Sequence, residues 1–119
     1  MKRLDDTKKL AAVNTKMNEY HIDIVNEVAK AAETSDVLIV GMKQNPFPRK
    51  AKKLLDNLSV KYDYLEYGSY SARWKDRLAL KIWAGWPTFP MIFVKGTLVG
   101  GFDDLKALVD SGEFEKLRA

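Results

Sequence analysis

The sequence predicts an α/β protein with a four-stranded mixed sheet and helices on both of its faces. Three observations support this class. The 119 residues suit one core, and the 46% hydrophobic content is that of a globular chain. Apolar residues recur at spacings of three and four in several segments, which predicts helices, and short apolar runs between them predict strands. The resulting order is α-β-α-β-α-β-β-α, in which the βα units favour parallel strands and a terminal hairpin adds antiparallel ones.

The first part of the chain predicts a helical extension. Residues 1–9 are highly charged and are expected to fray. From 10 to 33, two adjoining apolar stripes have helical periodicity, and we interpret this segment as one helix. The stripes consist of Leu10, Val13, Met17, Tyr20, Ile24 and Val28, and of Ile22, Val25, Ala29 and Ala32. The predicted organisation is therefore an extension at 1–35 followed by a domain at 36–119.

The elements of the domain follow from short apolar runs and the residues that interrupt them. The fully apolar run 37–40, ended by Gly41, predicts a central strand buried on both faces. A tight turn at Lys95 and Gly96 predicts a hairpin near the end of the chain. The predicted elements after the first strand are a helix at 49–58, a strand at 61–67, a helix at 72–83, strands at 91–94 and 97–99, a helix at 102–109 and one further helical turn around Phe114 and Leu117.

The composition excludes several classes of chemistry. The chain has no cysteine, so it supplies neither thiolate metal ligands nor a cysteine nucleophile. With His21 as its one histidine, a histidine-rich zinc site is not expected either, and no metal ligand is assigned. The net charge of +4 favours anionic small ligands or acidic partners. The longest uncharged run, 82–94, contains two prolines and is too short to span a bilayer; with no targeting segment expected, a cytoplasmic location is the default.

Three segments carry a resemblance to a known family. The strand 37–40, the loop 45–48 (Asn-Pro-Phe-Pro) and the basic helix after it resemble the first strand, active-site loop and first helix of a glutaredoxin. The segment 86–90 (Trp-Pro-Thr-Phe-Pro), followed by a hairpin and by 100–103 (Gly-Gly-Phe-Asp), is similar to the monothiol branch of that family. The resemblance covers residues 36–117 and implies the thioredoxin-like fold of glutaredoxins.

The loop departs from the family pattern at its reactive positions. The motif is Cys-Pro-Tyr-Cys, or Cys-Gly-Phe-Ser in monothiol members, whereas Asn45 and Pro48 occupy the two positions here. An amide cannot ionise, attack a mixed disulfide or hold cluster iron, so we expect neither the redox chemistry of the family nor an iron–sulfur cluster. Asparagine is a favoured N-cap, and Pro46 at the first helical position is pre-set for a helix. We therefore interpret Asn45 as a structural cap and assign no catalytic residue.

The resemblance implies that the glutathione-holding parts of the family are retained. The segment 88–90 would carry a cis-proline, and the residue before it would offer its backbone to the cysteinyl part of glutathione. The segment 101–103 would meet the γ-glutamyl end at a helix N-terminus, which suits a carboxylate. Basic residues would hold the glycyl carboxylate, and two of them lie four apart on one helical face. The candidate binding residues are Lys43, Arg77, Lys81, Thr88, Phe89, Pro90, Gly101, Phe102 and Asp103.

Each of these features also has a purely structural interpretation. The prolines can simply interrupt a loop, the acidic residues after Gly101 can match the charge of a helix start, and the lysines can belong to a solvated face. Three functions therefore remain open. The first is a non-redox protein that binds glutathione, a γ-glutamyl peptide or an acidic peptide. The second is a protein-interaction module with a vestigial groove, in which the helix 10–33 contacts a partner or a second copy. The third is a thiol–disulfide oxidoreductase or an iron–sulfur role in concert with another protein.

Other residues favour structural interpretations. A basic cluster could attract an acidic protein or nucleic acid, although such a run is usually a solvated face and nucleic acid is the less favoured partner. The tryptophans Trp74, Trp83 and Trp86 are predicted to lie in the core, and no partner can be assigned to His21 from the sequence. The basic cluster consists of Arg49, Lys50, Lys52, Lys53 and Lys61, together with Arg73 and Lys75.

Overall fold

The computed structural model describes residues 3–69 and 72–119. A mixed four-stranded sheet has the strand order β2-β1-β3-β4. Strand β1 pairs in parallel with β2 and antiparallel with β3, and β3 and β4 form the predicted hairpin. The strands are β1 (Val37–Gly41), β2 (Asp63–Glu66), β3 (Met91–Val94) and β4 (Thr97–Gly100). The predicted mixed sheet and its place in the chain are confirmed.

Helices alternate with the strands as the periodicity predicted. They are α1 (Ala11–Glu19), α2 (Ile22–Thr34), α3 (Pro46–Asn57), α4 (Trp74–Ala84), α5 (Phe102–Ser111) and α6 (Glu113–Arg118). The predicted positions of α3 to α6 are confirmed. Helix α3 begins earlier than its apolar periodicity indicated, because Asn45 caps it and Pro46 occupies its first turn.

Strand β1 is the centre of two apolar cores. All five of its residues are buried, as a strand covered on both faces requires. Leu38 and Val40 point to a core under α2 and α4, whereas Val37 and Ile39 point to a core under α3, α5 and α6. Full burial of each such side chain contributes about 1.5–3 kcal/mol. Helices therefore cover both faces of the sheet, as predicted.

The single helix predicted over 10–33 is wrong. Helices α1 and α2 are separate, and His21 between them has a left-handed backbone with φ of 46°. Helix α2 buries Val25, Val28 and Ala32, whereas α1 buries nothing. Helix α2 therefore buries residues of both stripes, whereas the part of the first stripe that lies on α1 stays exposed, because the chain turns at His21.

Contacts with the domain accompany the left-handed turn. Nδ1 of His21 lies 2.9 Å from Oδ1 of Asp76 in the first turn of α4, and Asp76 also accepts from Nε of Arg73 at 2.9 Å. The ring of Tyr20 packs edge-on against His21, with 4.7 Å between centroids. These contacts join the start of α2 to the start of α4.

The charged segment at the start of the chain contains one short element. The charged segment predicted to fray contains a 3₁₀ turn at Asp6–Lys8, and its residues 1 and 2 lie outside the described residues. The Asp5 carboxylate caps this turn by accepting from Thr7 N–H at 2.9 Å, which lowers the pKa of Asp5.

The tryptophans also differ from the prediction. Trp74 and Trp83 are 53% and 39% exposed, and Trp86 is half-buried against the core under α2 and α4. Helix α4 presents its first and last turns to solvent, since only Arg77, Ala79 and Leu80 of this helix are buried. Among the described helices, none is long and apolar enough to cross a membrane.

Candidate functional site

Asn45 lies where the loop after β1 enters α3. Its Oδ1 accepts the N–H of Phe47 at 2.9 Å, and its Nδ2 donates to the carbonyl oxygen of Phe89 at 3.0 Å. The predicted N-cap is therefore confirmed. The bond to Phe89 was not predicted, because the sequence does not show which backbone group 44 residues away lies within reach. The carboxamide uses both of its polar groups to cap one element and to hold another.

The loop that Asn45 holds contains a cis peptide bond between Phe89 and Pro90, as the resemblance implied. Both residues are buried, and Thr88 before them is exposed. The carbonyl oxygen of Phe89 is bound by Asn45, whereas its N–H has no acceptor among residues 3–69 and 72–119. One backbone donor at this loop is therefore unused by the described part of the chain.

The start of α5 adjoins the same loop. A Cβ placed on Gly101 would lie 3.6 Å from the carbonyl oxygen of Pro90, in ordinary van der Waals contact. Gly101 is the N-cap, and its own N–H donates to the carboxylate of Asp104 at 3.0 Å. Asp103, the predicted binding residue, is exposed in the first turn. The start of α5 therefore lies beside Pro90, and the N–H groups of a first helical turn have no partner within the helix.

Two phenylalanines lie between the starts of α3 and α5. The ring centroids of Phe47 and Phe102 are 6.4 Å apart, with 35° between the planes. Phe47 is 42% exposed, and Phe102 packs against the core under α3 and α5. Phe102, a predicted binding residue, thus has its side chain engaged with Phe47 and the core.

The predicted basic residues separate into two groups. Nζ of Lys81 lies 5.9 Å from the ring centroid of Phe89, which places a cation at the cis-proline loop. Arg77 is 6% exposed, and its Nη1 donates to the carbonyl oxygens of Tyr67 at 2.9 Å and Ala72 at 2.6 Å. Arg77 therefore braces the chain between β2 and α4.

Lys43 contacts the same segment as Arg77, through its backbone. Its backbone N–H donates to the carbonyl oxygen of Gly68 at 2.7 Å, and its side chain is exposed. The structure thus brings Asn45, Lys81 and the segments 89–90 and 101–102 together. The contacts made by Lys43 and Arg77 are with the segment that follows β2.

Sequence reasoning missed the residues that support this site. A Cβ on Gly41 would lie 2.8 Å from the hydroxyl of Tyr64 and 2.9 Å from the ring of Pro48, so glycine lets α3 start close to β1. Pro48, assigned only as the second degenerate position, is the buried residue that makes this approach. Asp104 is different, because the sequence already allowed the acidic residues after Gly101 to act at the helix start, and Asp104 does so by accepting from Gly101 N–H. Nothing in the sequence marks Gly41.

The sequence of this chain is similar to those of known proteins. The sequence model of the Glutaredoxin family matches residues 37–99. A glutaredoxin-like protein of Dictyostelium discoideum is 42% identical over 113 residues, which are 94% of this chain and 92% of that protein. Monothiol glutaredoxin-4 of Schizosaccharomyces pombe is 34% identical over 71 residues, which are 60% of this chain but only 28% of that longer protein.

A solved structure gives the same fold. The crystal structure of a buckwheat glutaredoxin–glutathione complex matches with a TM-score of 0.74 at 21% identity, over 83% of this chain and 90% of that chain. Its likeness concerns the arrangement of the sheet and helices. With a family match over more than half of the sequence and a relative that is 42% identical along nearly all of it, this chain belongs to the glutaredoxin family.

Proposed function

We propose that this protein binds glutathione, or a γ-glutamyl or acidic peptide of similar shape, beside the cis-proline and does not turn it over. The observation that carries the proposal is the double hydrogen bond of Asn45. The carboxamide caps α3 and binds the cis-proline loop, so the loop is held at the start of α3 without a thiol.

The redox half of the proposal rests on elementary chemistry. A cysteine at a helix start is reactive because unpaired N–H groups and the helix dipole stabilise its thiolate. A carboxamide at the same place has no ionisable proton and no electron pair that attacks sulfur. Because the chain contains no cysteine elsewhere, a bound disulfide would meet no nucleophile from this protein.

The binding half rests on hydrogen-bond donors and a cation around the loop, which suit the carbonyl and carboxylate oxygens of a peptide ligand. The N–H of Phe89 is a donor for an extended peptide backbone, and the donors at the start of α5 suit one carboxylate. Lys81 supplies a cation for a second carboxylate. The buckwheat relative was crystallised as a complex with glutathione, which supports this class of ligand for the present chain.

Isothermal titration calorimetry with reduced glutathione tests the proposal. We expect binding with a Kd in about the millimolar range or tighter, and a loss of about three- to fivefold for Lys81→Ala, the strength of one exposed ion pair. Lys75→Ala on the exposed first turn of α4 is the matched control and should bind like the wild type. An absence of heat at millimolar ligand, or equal binding by Lys81→Ala, would contradict the proposal.

A second measurement separates binding from turnover. The rate of disulfide reduction with glutathione should stay at background when this protein is added. S-methylglutathione, whose sulfur cannot exchange, should bind as well as reduced glutathione because no step at sulfur is required. Any protein-dependent rate would restore the oxidoreductase alternative, and a coloured species after anaerobic iron–sulfur reconstitution would do the same for the cluster alternative.

The exposed helix α1 favours a protein-interaction module as a second candidate. Leu10 is 77% exposed, Val13 43% and Met17 39%, and α1 buries no residue. An open groove of about 1490 Å³ lies between this part of the chain and the end of α4. In contrast, α2 packs on the sheet of its own chain. This weakens the hypothesis that the whole segment 10–33 contacts a partner or a second copy. Light scattering of the wild type and of the double variant Leu10→Ser and Val13→Ser tests this candidate. A wild-type dimer that becomes a monomer in the double variant would favour it. A monomeric wild type would exclude self-association through α1.

A further inference from the structure

The positive charge of this protein is concentrated in one segment. Residues 43–61 contain six basic residues and one acidic residue, a net charge of +5. The other residues of the chain contain 14 basic and 15 acidic residues, a net charge of −1. The whole excess of +4 thus belongs to the loop after β1, to α3 and to the few residues that follow α3.

The basic residues of this segment have no ion-pair partner among residues 3–69 and 72–119. Elsewhere, basic side chains such as Lys95, Lys106 and Arg118 pair with carboxylates within 4 Å. Five of the six in this segment are exposed and Lys52 is half-buried. They are Lys43, Arg49, Lys50, Lys52, Lys53 and Lys61.

Carboxylates near the segment are engaged by hydroxyl groups instead. Tyr64 donates to Glu66 at 2.9 Å, and Ser35 donates to Asp63. Burial raises the pKa of Tyr62, and the neighbouring Asp56 raises it further. The nearby acidic groups are therefore arranged around hydroxyls, and the cations remain available to an external anion.

Two of the cations are ordered by aromatic rings. Nζ of Lys52 lies 3.4 Å from the ring centroid of Tyr64, and Nζ of Lys50 lies 4.8 Å from that of Phe47. A cation–π contact restricts a lysine without using its three N–H donors. Because these side chains are already ordered, they lose less conformational entropy when an anion binds.

We propose that the basic face of α3, formed by Arg49, Lys50, Lys52 and Lys53, binds a short acidic segment of a partner polypeptide. The length of the basic face favours a short acidic peptide as the partner. Helix α3 has 12 residues and spans about 18 Å, which matches about six residues of an extended peptide. A long nucleic acid or a membrane surface would extend beyond α3 onto the rest of the chain, whose net charge outside residues 43–61 is −1.

Lysine and arginine bind both carboxylates and phosphates, so the choice of an acidic peptide rests on the length of the basic face and not on its residue types. The basic face uses none of the groups that were assigned to glutathione at the cis-proline loop, so the inference does not rest on glutathione binding. Charge complementarity of this kind acts through the rate and specificity of association, and it weakens with salt.

Fluorescence anisotropy with a labelled peptide of about 12 alternating Glu and Ala residues tests the inference; extended, it is longer than α3. The wild type should bind at low ionic strength. The triple variant Arg49→Glu, Lys50→Glu and Lys53→Glu should lose at least about tenfold, since it removes three exposed ion pairs. Replacing the same three residues by Gln should also weaken peptide binding, but by less. This milder variant keeps the test valid if the charge-reversed variant does not fold.

The matched control is Lys8→Glu, Lys16→Glu and Lys30→Glu, which changes the net charge by the same amount at exposed residues away from α3. Peptide binding by this control within about twofold of the wild type supports the inference. Equal losses of peptide affinity in the charge-reversed α3 variant and in this control would overturn the inference. An absence of peptide binding to the wild type at low salt would also overturn it. Tighter binding of a single-stranded oligonucleotide or of vesicles containing phosphatidylserine would overturn it in favour of those partners. Glutathione should not compete, and Lys81→Ala should bind the peptide normally whether or not it binds glutathione.

Discussion

At the scale of single residues, Asn45 shows what a sequence can and cannot predict. Its role as N-cap follows from its type and from the proline after it, because the reason is local. Its second bond, to the carbonyl oxygen of Phe89, depends on where the fold places a distant loop. Arg77 is a second example, because its spacing of four from Lys81 predicted a shared helical face but could not show that the fold buries Arg77 and turns its Nη1 toward backbone carbonyls.

The prediction at this scale concerns Asn45→Ala. The change removes the cap of α3 and the donor to Phe89, so we expect the free energy of unfolding to fall by about 1–3 kcal/mol. Asn45→Asp keeps an acceptor for Phe47 N–H but loses the donor, and it should recover part of the loss. Urea unfolding measures both, with Asn57→Ala at the far end of α3 as control. A variant Asn45→Ala as stable as the wild type would show that the carboxamide does not hold the loop.

At the scale of elements, periodicity predicted which segments are helices and strands but not how they meet. The apolar stripes of 10–33 do form helices, but no glycine or proline near His21 indicates that the chain turns there. The turn is accompanied by a contact between His21 and Asp76 of a distant helix, which the sequence does not show. The close approach of β1 and α3 is likewise invisible in the sequence. It depends on the absence of a side chain at Gly41, where Pro48 and Tyr64 leave no room.

A pair of glycine variants tests this approach. A Cβ at Gly41 meets the rigid ring of Pro48 at 2.9 Å, so Gly41→Ala should force α3 away from β1 and cost about 1–3 kcal/mol of unfolding free energy. At Gly101 the nearest atom lies at 3.6 Å, and Gly101→Ala should cost less than about 1 kcal/mol, mostly from the weaker N-cap. Thermal unfolding ranks the two. Equal costs, or a larger cost at Gly101, would contradict the packing described here.

At the scale of the whole molecule, each face of the sheet carries a tyrosine whose hydroxyl donates to a carboxylate. Tyr67 lies in the core under α2 and α4 and donates to Glu27 at 2.6 Å, while Tyr64 packs against the other core and donates to Glu66 at 2.9 Å. Burial first, and the neighbouring carboxylate second, raise the pKa of both tyrosines well above the ordinary range. The sequence predicted a strand at 61–67, and Glu66 lies two residues from Tyr64 on that strand, whereas Glu27 meets Tyr67 only through the packing of α2.

The last prediction follows from the direction of these shifts. Below about pH 10, tyrosine is protonated in both the folded and the unfolded chain, and its contribution to stability is complete. Above that pH the unfolded chain loses the proton while the folded chain retains it. Each tyrosine therefore lowers the free energy of unfolding by about 1.4 kcal/mol per pH unit there. Tyr67→Phe should lose some stability at neutral pH with its bond to Glu27, yet show a shallower decline above pH 10 in urea titrations; slopes equal to the wild type would mean that this hydroxyl ionises as readily in the folded protein as in the unfolded chain.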